Sequence, residues 1–120
     1  MTGTAKALYA FFSQFGVAAY PENSVPDDAE LPYITYDLIE TDWNSESFIN
    51  ARVWQKSTSY SVINDLLDRI SETVGDGIRL PTDKGFIFLA KGDPWIQFQP
   101  MDDVWLKVAY LNFVFICATK

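Results

Sequence analysis

Leu8, Phe11, Phe12 and Phe15 recur at i, i+3, i+4 and i+7, which puts four large apolar side chains on one helical stripe. The spacing predicts a helix over about Thr4 to Phe15, with Thr4 as its cap and Gly16 ending it in the left-handed conformation. A second stripe, Ile63, Leu66, Leu67, Ile70 and Val74, predicts a helix from about Tyr60 to Val74. Ser57, Thr58 and Ser59 offer its cap, Gly75 and Gly77 stop it, and Asp65 and Arg69 stand i, i+4 on its polar side.

Between and after these stripes the period changes to two. Val17 to Tyr20 reads as a short extended piece. Tyr33 to Asp42 alternates Ile34, Tyr36 and Leu38 against Thr35 and Asp37. Phe48 to Lys56 alternates Ile49, Ala51 and Val53 against Asn50, Arg52, Trp54 and Lys56. The polar stretch Trp43 to Ser47 between them predicts a hairpin, with Arg52 facing Asp37 across it. Ile78 to Leu80 meets Phe86 to Lys91 through a turn at Thr82 to Gly85. Gly92-Asp93-Pro94 is expected to break the chain before an extended Trp95 to Gln99. After a turn at Pro100 to Asp103, Val104 to Ala118 reads as one long strand that is apolar on both faces. Such a strand needs cover on both sides, from helices or from a neighbouring subunit.

The order is therefore α, β, β, α, then four strands. It predicts an α+β fold: a single mixed, mostly antiparallel sheet with two helices packed on one face. At 120 residues the whole chain, 1–120, reads as one domain. A chain of this size buries roughly two-thirds of its unfolded surface. Aromatics are 16% of the residues, more than one such core needs, so some rings are expected at contacts.

Charge and composition then remove function classes. The net charge of −7 argues against a protein held to nucleic acid by phosphate neutralisation, and against an anionic membrane surface. No apolar run is long enough to span a bilayer. The N-terminus lacks a signal-peptide layout, and cytosolic synthesis is expected. The single cysteine, Cys117, cannot form an intrachain disulfide and reads as a buried small hydrophobe. Histidine is absent, which removes Ser-His and Cys-His nucleophiles and Cys/His zinc sites.

Carboxylates are the remaining catalytic candidates: Asp27, Asp28 and Glu30 in one cluster, Asp102 and Asp103 in another. Paired acids can serve glycoside hydrolysis or bind Mg²⁺ or Ca²⁺. Both clusters lie beside prolines in turns, where solvated acids are ordinary. Gly75-Asp76-Gly77 follows a helix rather than opening one, so it makes a cap and not a phosphate cradle. No cofactor, metal or catalytic residue is assigned.

The segment Ser24 to Tyr36, SVPDDAELPYITY, reads as a stiff acidic connector bracketed by Pro26 and Pro32. It suggests a shaped contact surface. Trp54 and Trp105 are expected in the core or on a sheet face, whereas Trp43 and Trp95 fall at loop positions suited to partner anchors. Candidate interface residues are Pro26, Asp27, Asp28, Trp43, Trp95, Phe98 and Met101, in the loop at Ser24 to Leu31, the turn at Trp43 to Ser47, and Trp95 to Asp103. On this reading Trp95→Ala weakens assembly far more than folding.

Three stretches together resemble one family. They are ALYAFFSQFGVAAYPENSVPDDAELPYITYDL, ARVWQKSTSYSVINDLLDRISETVGDGIRLPTDKGFIFLAKGDP and the C-terminal strand. They look like the small minor capsid proteins encoded between head and tail genes of long-tailed phages and prophages of Gram-positive bacteria, similar to tail terminators or head–tail joining proteins. The parts most specific to the likeness are VPDDAELPYITY and the Arg52-Val53-Trp54 strand before a Ser/Thr-rich helix start. The resemblance implies a virion structural protein at the neck, on top of the tail. It implies copies assembled as a ring, commonly a homo-hexamer, that contact the tail tube protein and a head connector or head-completion protein. It implies no catalysis, no cofactor and no membrane, with DNA only as passing cargo in the lumen. A tail tube or head-completion subunit is the alternative within that class; a carboxylate-dependent hydrolase and a cytosolic adaptor with no phage role are the alternatives outside it.

Overall fold

The computed structural model describes residues 2–38, 47–56, 60–82, 85–99, 101–102 and 105–119. The chain runs α1 (Thr2–Ser13), β1 (Ala18–Pro21), a 3-10 turn (Glu22–Ser24), β2 (Tyr33–Leu38), β3 (Ser47–Lys56), α2 (Ser61–Val74), β4 (Ile78–Thr82), β5 (Gly85–Gln99) and β6 (Leu106–Thr119). The strands form one six-stranded sheet in the order β1-β2-β3-β6-β5-β4. Only the β1–β2 pairing is parallel, so the sheet is mixed and mostly antiparallel. The expected α+β architecture is the observed one.

Both helical stripes are buried as the spacing predicts. Leu8, Phe11, Phe12 and Phe15 join Ile63, Leu66, Leu67, Ile70 and Val74 in one core. Full burial of each such side chain is worth about 1.5–3 kcal/mol. The sheet contributes alternate residues from one face only: Ile34 and Tyr36, Ile49, Ala51 and Val53, Ile87 and Leu89, then Ala109, Leu111, Phe113 and Phe115. Register explains the match, since Val53 faces Ile34 and Ala109, and Ile49 faces Phe113. Both helices therefore cover the same face. α1 reaches both edge strands, β1 and β4.

Several local expectations are corrected. α1 begins at Thr2, so Thr4 lies inside the first turn rather than capping it. Gly16 does take a positive φ of 83°, two residues beyond a Gln14 amide that donates to Phe11 O. Tyr60 holds the N-cap position of α2 and makes no side-chain cap bond; Ser57 to Ser59 lie outside the described residues. Arg69 does not pair with Asp65. Its Nη1 donates to the Phe15 carbonyl at 3.0 Å and ties α2 to the end of the first helical segment. Arg52 faces Thr35, not Asp37, and its ion pair is with Glu22 at 2.6 Å.

The largest correction concerns Gly92-Asp93-Pro94. It does not end a strand. β5 runs unbroken from Gly85 to Gln99, with its register against β6 shifting between Lys91 and Ile96. The extra residues are absorbed as a bulge, so three strands rather than four follow α2. Asn112 Nδ2 closes the bulge by donating to Pro94 O at 3.0 Å and Gln97 Oε1 at 3.1 Å.

Candidate functional site

The long C-terminal strand poses the question of cover, because its second face carries apolar side chains too. On that face β6 presents a fully buried Val108 and half-buried Tyr110, Val114 and Ile116, and β3 and β5 add Phe48, Phe86 and Phe88. No helix packs there among the described residues. Phe48 is 55% exposed and Phe88 is 38% exposed. The C-terminal strand read as apolar on both faces, so which of its faces the helices would cover was not legible in the sequence.

Towards β1 this open face becomes aromatic and polar. Tyr20 meets Tyr33 edge to face, and Tyr33 tilts on Trp54. Trp54 Nε1 donates to Thr35 Oγ1 at 3.0 Å, which satisfies a buried hydroxyl. The Arg52 guanidinium lies 4.8 Å from the centre of the Tyr110 ring. Trp54 is thus on a sheet face as expected. Trp105 is not: it precedes β6 and is exposed.

The predicted interface residues separate into three groups. Pro26, Asp27 and Asp28 are exposed in the connector before β2, where the Ala29 amide donates to Pro26 O at 3.1 Å. Phe98 is exposed and meets Tyr60 edge to face at 5.2 Å, with Lys107 Nζ 5.0 Å from the same tyrosine ring; Met101, after β5, is half-buried. Trp43 lies outside the described residues. Trp95 belongs to neither surface. It sits within β5, not in a loop, and its Nε1 donates to Ser71 Oγ at 2.8 Å while its ring stands edge-on to Phe113. It props α2 against the sheet.

Asp27, Asp28 and Glu30 lie in the connector before β2 and Asp102 follows β5, while Asp103 lies outside the described residues. Among the described residues no group of three or more Asp, Glu or Cys side chains could hold a metal ion. A half-open cavity of about 540 Å³ lies elsewhere, between α1, the 3-10 turn and the end of β2. Leu8, Pro21, Glu22, Tyr36 and Asp37 line it. Tyr36 stacks on Phe12 at 4.8 Å, and burial, with Tyr9 adding to it, pushes its phenol above the usual range. Sequence reading placed Tyr36 on the apolar face and missed that it opens into this cavity; a tyrosine among aliphatic stripe positions was the available signal.

No protein-family model matches the chain, and no curated protein matches it.

Proposed function

We propose that this chain is a virion structural subunit at the head–tail junction of a long-tailed phage, a tail terminator that assembles as a ring on the tail tube and docks the head connector. The observation that carries the reading is an apolar sheet face through exposed Phe48 and Phe88 and half-buried Val114 and Ile116, which no described helix covers, opposite a face used by two helices. An exposed contiguous apolar surface on a small domain marks a contact with another macromolecule. The likeness of VPDDAELPYITY and its neighbours to neck proteins gives the class of contact. The acidic balance agrees with a passage for DNA, because like charge offers no counterion-release gain.

Closed rings need two different patches that fit each other. The open sheet face and the exposed connector at Pro26 to Asp28 are two such patches on different parts of the subunit. Electron microscopy of tails made with and without the protein tests the reading. Overlong tubes in its absence are the expected result. Normal-length tails lacking heads would move the role to joining, and unchanged virions would overturn the neck assignment.

A further inference from the structure

The open sheet face matches itself. Along the central β3–β6 pair Phe48 stands opposite Val114, Asn50 opposite Asn112 and Arg52 opposite Tyr110. A two-fold axis running along these strands, between β3 and β6, lays β3 of one copy over β6 of the other. Phe48 of each copy then falls on Val114 of the other, and Asn50 on Asn112. Exposed Phe88 and half-buried Ile116 extend the apolar end of this centre. Each apolar group meets an apolar group and each amide an amide, which is the self-complementarity an isologous contact requires.

The face is also of the right size. Its four inner strands, β2, β3, β6 and β5, at about 4.8 Å spacing and about 3.4 Å per residue along β3, span roughly 20 Å by 34 Å. Side-chain relief and the short edge strands bring this to the scale of the about 800 Å² that each partner gives to a stable contact. Two twisted sheets pack in this way about 10 Å apart, with their strands within about 30° of each other. The net charge of −7 does not oppose the pairing, because the acids lie elsewhere: Asp65, Asp68 and Glu72, for example, are exposed on the outer side of α2. Among the residues paired in register, the open face carries one acid, Asp37, against Arg52, Lys56 and Arg79, and Arg52 is already paired with Glu22. Asp37 on β2 and Arg79 on β4 stand on opposite flanks of the sheet. The same two-fold lays the flank with Arg79 over the flank with Asp37, so unlike charges approach.

Resting on the reading of this face as a contact surface, we infer that in the free protein a second copy of the chain covers it, face to face about a two-fold axis along β3 and β6. The pairing closes on itself, so it yields a dimer and not a fibre. It hides the apolar surface until a tail end displaces the second copy.

Sedimentation velocity of the full chain over a concentration series tests this. The parent is expected to sediment as a dimer in equilibrium with monomer. Phe48→Lys is expected to raise the dissociation constant at least about tenfold, with an unchanged far-ultraviolet spectrum. Asn50→Arg alters a side chain that is already exposed and is expected to act in the same direction, so it decides the matter if Phe48→Lys does not fold. Mixing Phe48→Lys with Phe48→Glu is expected to restore dimers, because a two-fold between β3 and β6 brings position 48 of both copies together. A mixture that stays monomeric overturns the face-to-face geometry, and variants that dimerise as the parent does overturn the use of this face. A parent that is monomeric at every concentration yet caps tails overturns the dimer and leaves the neck reading standing. A dimer lost in the variants, from a protein whose removal leaves virions unchanged, supports the pairing and overturns the neck reading alone.

Discussion

Trp95 stands where β5, β6 and α2 meet. Its indole N–H donates to Ser71 Oγ and its ring meets Phe113 edge to face, so it contributes both packing and a satisfied polar contact. Replacing it with alanine removes a large ring from under α2 and leaves Ser71 without its donor. Trp95→Ala is expected to lower unfolding stability by about 2–4 kcal/mol, and Ser71→Ala by about 1 kcal/mol. Urea unfolding midpoints of the two variants check this. A Trp95→Ala protein within about 0.5 kcal/mol of the parent would return the residue to the role of partner anchor. The sequence reading failed here for a definite reason. Gly92-Asp93-Pro94 carries every signal of a break, and a tryptophan just after a break reads as exposed. Nothing in the residue types tells that Asn112, eighteen positions on, closes the bulge and keeps the strand going.

At the scale of elements, local periodicity carried most of the information. The stripes of α1 and α2 specify which side chains are buried because helical spacing is a local property. β3 shows the same, with Ile49, Ala51 and Val53 inside. What local pattern does not carry is pairing. Arg52 and Asp37 lie on neighbouring strands, yet the register puts Thr35 opposite Arg52 and frees the guanidinium for Glu22. The β5 bulge is the same kind of long-range fact, and it has a testable pivot. A Cβ at Gly92 would stand 2.8 Å from the Asn112 carbonyl oxygen, a backbone atom that cannot swing aside. Gly92→Ala is expected to cost about 1–3 kcal/mol, like other overpacked sites. Amide exchange should show the loss concentrated in Ile96 to Gln99 and their β6 partners. Uniform protection across β5 after the substitution would mean that the bulge tolerates the extra carbon.

For the whole molecule the question is what a sheet does when the described helices cover one of its faces. Its edges are closed to strand addition by composition. β1 is four residues long and ends in Pro21, and β4 is five residues long and contains Pro81. Growth by edge pairing is thereby disfavoured, so the proposed contact is placed on the open face. The two sides of β6 separate stability from the proposed assembly residue by residue. Phe113 is buried under α1, whereas its neighbour Val114 faces the open side beside Phe48. Phe48→Lys is therefore expected to change unfolding stability by less than about 1 kcal/mol, since the side chain is already half in water. The same substitution places a charge in the centre of the proposed contact, where an unpaired buried charge is strongly disfavoured. Tails made with Phe48→Lys should lack the protein on their ends, although the variant accumulates folded and soluble. If Phe48→Lys unfolds the chain, the open face belongs to the fold; if it binds tail ends as the parent does, the contact lies elsewhere.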